Sequence, residues 1–465
     1  MTDRIRPCGC ADFSRTELFR RAAASAGEGL PPIESGMPLP AGTGLSRRSF
    51  IARTAGLALS VYGASNLRLP LLDEGIAHAA TQANESRVLV SVFLDGGADV
   101  LNLLFPAGDS RYYELRPKLA LSPDIGVPFD EDSRLRWHPS AQAFATLHGE
   151  GKATVFPSIG YTSPDKSHFT SRHYWEVGAT DATARTGWLG RFLDQAGRAD
   201  NPLQGLALDN RLQPALATAK VPVASMDGPD RYSFKAFGVS GQTEARMLEA
   251  LGQLGLAHER ASDKGVRQAG DALAQSYRLR GQVSPFGTGT ITSPVKYPGD
   301  QDDDFPRRLA SLAAMLAAGL PLRCVALSAP GRYDTHADQA DELSDGIKLT
   351  ADSLLAFQRD LEARGLADRV LVHVWSEFGR RARENGSLGT DHGAAGFGLL
   401  LGTRAGGKMV GEYPGLTSGL DSEGNLKATS DFRGVYSGIL EQWFETDAGA
   451  IIPNAGSFAR PKLVR

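Results

Sequence analysis

The sequence predicts an α/β protein, a doubly wound and mostly parallel sheet flanked by helices in one large domain. Three observations carry that expectation. Runs apolar on both faces, the pattern of strands buried between two helix layers, recur along the chain. Segments of helical length separate them. The polar clusters fall at the ends of these runs, where open parallel sheets bind their ligands.

In chain order, the first eighty residues stand apart. "LSRRSFIARTAGLALSVYGAS" (45–65) places Arg47 and Arg48 before Ser49, Phe50 and Ile51, then a short stretch rich in Ala, Gly and Ser. That is the layout of a twin-arginine export signal, with Ala77-His78-Ala79 as the expected cleavage site. The competing reading is an amphipathic helix with a chance arginine pair. The apolar part is too short to make a stable membrane span. Residues 1–80 are therefore expected to be a removed leader and 81–465 the domain. The expected destination, through the Tat export machinery, is the periplasm or the exterior. Cys8 and Cys10 leave with the leader, so Cys324 in "LRCVALS" remains alone, without a disulfide partner and read as a buried small hydrophobe.

The first core element is "RVLVSVFLDGGADVLNLLFP" (87–106): a strand, an Asp-Gly-Gly turn and a helix-compatible segment. A strand at 152–160 follows a helix at 140–149. Another at 321–331 follows an Ala/Leu-rich helix at 306–319. "DRVLVHVWSEFGR" (368–380) follows an amphipathic helix at 341–364, and "GFGLLLG" (396–402) comes last. Residues 283–304, rich in Pro, Gly, Thr and Asp, are expected to make a loop-rich surface excursion. No phosphate-binding glycine loop is present. The composition, 42% apolar and 22% charged with a formal charge of −3, fits a globular chain and gives no reason to expect a nucleic-acid partner.

Five polar loops sit at predicted strand ends. Asp95 ends the first strand. Ser167, His168 and Arg172 follow the second, Asp334 and His336 the third, and Glu377 and Arg380 the fourth, while Asp391 and His392 precede the last. Carboxylates with imidazoles suit divalent cations, with Zn, Mn, Fe, Ca or Mg left open by the oxygen share. Asp95, Asp334, His336, Glu377, Asp391 and His392 are thus candidate metal ligands. Several carboxylates at one focus repel unless a cation sits there or some point elsewhere. Taken alone, Asp334 and Asp391 read equally well as turn residues.

Ser167 is either an N-cap or, at a positive helix end that suits an anion, an activated nucleophile. His168 is open to three roles: ligand, donor to a ligand, or acid. Arg172 and Arg380 are candidate clamps for an anion, against the default of salt bridges. His138, His173 and His373 read as structural.

Taken together, "FLDGGADVLN", "YTSPDKSHF", "GWLGRFLD", "YDTHADQ", "SEFGRRARENGSLGTDHG" and "DFRGVYSGILEQW" resemble a large bacterial family of exported proteins of unknown function. That family is grouped with the alkaline phosphatase–sulfatase superfamily. The resemblance covers residues 87–446 and the leader. It implies an alkaline-phosphatase-like α/β domain holding one or two divalent metals. Asp95 stands for the first-strand aspartate, Ser167 for the nucleophile, Asp334 and His336 for the next ligand pair and His392 for the final ligand. Two departures stand out. Ser376-Glu377-Phe378 replaces an Asp-His pair, and phenylalanine cannot ligate, so one metal position is short of a ligand unless Asp391 or His168 supplies it. The sulfatase Cys-x-Pro-x-Arg signature is absent.

The expected function is therefore an exported, metal-dependent hydrolase or transferase of small phosphate, phosphonate or sulfate esters. The alternative is a non-catalytic periplasmic binding or assembly partner on a degenerate scaffold.

Overall fold

The computed structural model describes residues 87–465 apart from 233, 235–238, 287–290 and 300–303. The expected twin-arginine leader, with Cys8, Cys10 and the expected cleavage site, lies outside the described residues.

Among the described residues thirteen strands run in chain order: β1 (Val88–Phe93), β2 (Leu104–Phe105), β3 (Val127–Pro128), β4 (Arg136–Trp137), β5 (Ala153–Gly160), β6 (Gly205–Ala207), β7 (Ala224–Ser225), β8 (Cys324–Ser328), β9 (Val370–Trp375), β10 (Arg380–Glu384), β11 (Thr390–His392), β12 (Gly396–Leu401) and β13 (Ser430–Asp431). Eight of them form the central sheet in the order β13-β5-β12-β9-β1-β8-β6-β7. β1 lies parallel to both β8 and β9, and β6 parallel to β7 and β8. Only β12 runs against its neighbours β5 and β9.

The alternation along β1 explains the double winding. Val88, Val90 and Val92 enter one apolar cluster, with residues of the helices Gln142–Gly149, Asp304–Ala317 and Gln339–Ala363. Leu89 and Phe93 enter another, with the helices His168–Val177, Trp188–Ala196 and Phe432–Gln442. A strand whose odd and even residues are both buried is the pattern of a parallel sheet covered on two faces. Every strand expected from the sequence is present. Three short strands of the central sheet, β6, β7 and β13, and the paired helices Gly241–His258 and Lys264–Val283 extend the fold beyond them.

The excursion at 283–304 is, where described, tied to the core rather than loose. Ser293 and Tyr297 donate to the buried Asp360 carboxylate at 2.8 and 3.0 Å. No helix among the described residues is long and apolar enough to cross a membrane.

Cys324 is fully buried, and burial pushes its thiol up to about 12. His373, inside β9, packs edge-on against Tyr436, and burial pushes its imidazole down to about 3. An unfolded chain binds that proton near pH 6.5 while the folded one does not. Stability from this site is therefore complete above about pH 6.5 and declines as pH falls toward 3. A His373→Phe variant is expected to show a shallower acid branch in urea melts taken between pH 7 and pH 4.

Candidate metal centre

The reversed strand β12 is what lets the loops converge. A residue preceding a parallel strand lies at the opposite sheet edge from the carboxyl ends, about 17 Å away for five residues. Because β12 is antiparallel, Asp391 and His392, just before it, lie at the same edge as the ends of β1, β8 and β9. Phe93 is level with both Ser328 and Trp375, so these three loops leave from one line.

At that edge His168, Asp334 and His392 each place one ligand atom within 4.8 Å of the others. The Asp334 Oδ1 lies 3.2 Å from His392 Nε2, 3.1 Å from His336 Nε2 and 3.4 Å from His168 Nε2. A cation bonded at about 2.0–2.1 Å spaces adjacent donors about 3.0–3.4 Å apart.

The tautomers point the same way. His392 Nδ1 lies 2.9 Å from the Lys166 carbonyl, which only accepts, so Nδ1 carries the proton and Nε2 a lone pair. His336 Nε2, 2.9 Å from that lone pair, is then the donor between the two imidazoles. His168 Nδ1 donates to Glu377 Oε1 at 2.7 Å, which turns its Nε2 inward. That Nε2 is buried and makes no hydrogen bond despite its closeness to Asp334. A buried nitrogen without a partner is costly, and a cation satisfies it.

The electrostatics reflect one shared anion. Burial alone would raise the Asp334 carboxyl, but the adjoining His168, His392 and Arg380, of which the arginine donates to it directly, hold it far below the usual carboxylate range. Burial would lower His168, yet Asp334 and Glu377 together lift its imidazole to about 9. In the metal-free protein it is protonated at neutral pH, so an incoming cation displaces a proton there. His336 is lowered, by burial first, with Asp334 opposing.

The other expected site residues stand elsewhere. Glu377, fully buried, accepts from the backbone N–H groups of Gly96 and Gly97 at 3.0 and 3.1 Å and from Ser376 Oγ at 3.0 Å as well as from His168. With its lone pairs occupied it orients His168 instead of ligating, the arrangement in which a carboxylate backs a metal-binding imidazole. Gly96 makes that turn possible. Its φ is +124°, and a Cβ there would fall 2.2 Å from the Asp334 nitrogen. Asp95, more than half exposed, faces Arg172 Nη1 at 3.6 Å and is not one of the three converging groups. Asp391 Oδ1 accepts from Asn385 at 3.2 Å and lies 3.7 Å from His336 Nδ1, behind that ring.

Neither arginine matches its expectation fully. Arg380 is wholly buried. It donates to the carbonyls of Gly97, Thr390, Gly96 and Tyr333 and to Asp334 Oδ1 at 2.5 Å, so all three of its guanidinium nitrogens are already engaged inside the protein instead of clamping an incoming anion. Arg172 is bonded to Glu176 at 2.7 Å and to Gln213 at 3.3 Å, with one edge toward Asp95. Ser167 does occupy the N-cap of the helix His168–Val177, but its hydroxyl makes no cap bond. Phe378, where the resemblance calls for a ligand, packs 4.8 Å from both the His168 and His392 rings.

A buried network missed in the sequence lies beneath. Asp99 and Arg116, both with no exposed side-chain surface, pair at 2.5 Å. Gln339 donates to Asp99 at 2.6 Å, and its own carbonyl oxygen accepts from Thr335 and Thr390. Thr335 lies between Asp334 and His336, and Thr390 precedes Asp391, so this single glutamine ties both ligand loops to Asp99, the N-cap of the short helix Val100–Leu103. No local pattern marks Gln339; its role exists only once three distant segments meet.

A family model described as "Protein of unknown function (DUF1501)" matches residues 161–448. No curated protein matches the chain. Among solved structures, a PsFucS1 sulfatase from Pseudoalteromonas sp. aligns over 86% of this chain and 78% of its own at 11% identity and a TM-score of 0.33. A protein in the alkaline phosphatase superfamily from Vibrio parahaemolyticus covers 83% and 77% at 8% identity and a TM-score of 0.35. A phosphonate monoester hydrolase from Silicibacter pomeroyi covers 81% and 75% at 14% identity and a TM-score of 0.29. At such scores the likenesses carry no argument about activity, and the site stands on its own geometry.

Proposed function

We propose that this chain, which belongs to the DUF1501 family of proteins of unknown function, is an exported hydrolase or transferase of phosphate, phosphonate or sulfate esters that works with one divalent metal and a serine nucleophile. One observation carries the reading. Two imidazoles, both with Nδ1 protons directed outward by Glu377 and the Lys166 carbonyl, converge with Asp334 on a shared point. His168 Nε2, Asp334 Oδ1 and His392 Nε2 would hold the ion. Two nitrogens and one oxygen favour Zn²⁺, Mn²⁺ or Fe²⁺ over Ca²⁺ and Mg²⁺, which prefer oxygen shells. Phe378 fills the place of a further ligand, which supports one ion instead of two. When bound, such an ion supplies positive charge for the ester oxygens and favours an ionised hydroxyl nearby.

The protein's own part is positioning. Ser167 adjoins His168 at the N-terminus of a ten-residue helix, where free N–H groups and the helix dipole favour an anion. Its hydroxyl, unused in capping, attacks phosphorus or sulfur. An Oγ–P or Oγ–S bond forms, the bond to the leaving oxygen breaks, and solvent takes the serine proton and returns one to the leaving alkoxide. Water, or an acceptor alcohol, then releases the serine ester. Arg380 and Glu377 hold Asp334 and His168 in place.

The test joins metal analysis with kinetics on aryl phosphate, phosphonate and sulfate esters. About one equivalent of a divalent ion is expected, with turnover that a chelator removes. Ser167→Ala should lower that turnover at least about 100-fold while leaving the ion bound. Absence of a stoichiometric ion overturns the metal site. A bound ion without turnover of any ester supports the non-catalytic periplasmic reading, for which the plug at Phe378 is the specific observation.

A further inference from the structure

We propose that the cavity beside the ends of β6 and β8 binds a second anionic group of the substrate, a carboxylate, sulfate or phosphate on the alcohol half of the ester, with Arg211 as its counter-ion. The description of the ligand as an ester rests on the function proposed above, whereas the subsite stands on the cavity.

That cavity has a volume of about 260 Å³ and is lined by Asp209, Arg211, Asp304, Arg308 and Ser328 among others. Its charged groups differ in one respect. Asp209 Oδ2 accepts from Gln213 at 2.6 Å and from Ser328 at 3.1 Å. Asp304 accepts from Arg307 at 2.8 Å, and Arg308 is paired with Asp227. Arg211 is exposed and has no hydrogen bond or ion pair among the described residues. The uncommitted charge in the cavity is therefore positive. A planar guanidinium with free N–H groups selects carboxylate, sulfate or phosphate.

The wall of the cavity is tied by hydrogen bonds to the helix that carries His168. His168 and Arg172 are four residues apart on one helix and share a face. Arg172 donates to Gln213 Oε1 at 3.3 Å, and the amide nitrogen of the same Gln213 reaches Asp209 and, at 3.1 Å, Ser328, both on the cavity wall. Asp95, 3.6 Å from Arg172 Nη1, has its carboxyl raised by burial, with Arg172, His168 and last Arg211 opposing the rise. In the proposed pose an ester held at His168 extends its alcohol half past Arg172 toward Arg211.

The probes are 4-hydroxybenzoate and 4-hydroxybenzamide, nearly equal in shape and different in charge. In ligand-observed NMR titrations of chelator-treated protein, the wild type is expected to bind the benzoate about fivefold more tightly. Arg211→Gln should bind both alike, and Arg211→Glu should prefer the amide, with both variants melting at the wild-type temperature. No binding of either probe, equal binding in the wild type, or a preference that survives in Arg211→Gln overturns the subsite. The metal-loaded protein is then given 4-carboxyphenyl and 4-carbamoylphenyl phosphates and sulfates. Faster turnover of the charged pair, lost in Arg211→Gln, supports both proposals. Turnover of none, with the probe preference intact, sinks the hydrolase reading and leaves the subsite supported.

Discussion

Asp334→Ala is expected to weaken divalent-metal binding by more than about 100-fold and to abolish metal-dependent turnover. Altering groups that merely support a ligand already costs 10–100-fold, and Asp334 contributes the central oxygen itself. The carboxylate also serves the metal-free protein, because it is the common anion for Arg380, His168, His336 and His392. Its loss leaves three imidazoles facing one another without one of the two carboxylates that lift His168 to about 9. The metal-free variant should therefore melt below the metal-free wild type. The wild type should also release protons on metal loading at pH 7.5, where His168 is still charged, and Asp334→Ala should release none. Competition with a chromophoric chelator gives the affinity and a pH-indicator titration gives the protons. Unchanged affinity in the variant would remove Asp334 from the ligand set.

Why the site was only half legible in the sequence follows from what each residue does. Asp334, His168 and His392 were readable because strand ends in an open sheet share an edge, and apolar runs mark strand ends plainly. The reversal of β12, which brings His392 to that edge, left no mark in its composition: "GFGLLLG" reads the same in either direction. Glu377 was visible as a carboxylate at a strand end, but its partners are two backbone N–H groups of the Asp-Gly-Gly turn nearly three hundred residues earlier. Sequence shows residue types and spacing and does not show which lone pairs are already taken. The same reason hid the setting of Arg380, whose three guanidinium nitrogens donate to four backbone carbonyls that carry no sequence signal. For the fold, the long buried strands were clear, while β6 and β7, three and two residues long, are too short for periodicity to register.

Arg116→Met is expected to lower stability by about 3–5 kcal/mol, because it leaves the Asp99 carboxylate buried and unpaired. Arg116 also donates to the carbonyls of Ala382 and Arg381 at 2.9 and 3.0 Å, so the strand β10 that starts at Arg380 loses an anchor at the same time. Removing the stranded charge should restore part of the loss. The double variant Arg116→Met with Asp99→Asn keeps an acceptor for the Gln339 amide and should recover at least about 1 kcal/mol over Arg116→Met alone. Gln339 joins this pair to Thr335 and Thr390, so the damage should reach the metal centre without touching a ligand. Metal affinity in Arg116→Met should fall by about tenfold, the scale seen when support behind ligands is lost. The double variant should bind metal more tightly than Arg116→Met does. Urea melts and chelator competition on the same three proteins separate the two effects. A stability loss with wild-type metal affinity would show that the buried pair holds the helix Val100–Leu103 and plays no part in placing Asp334 and His392.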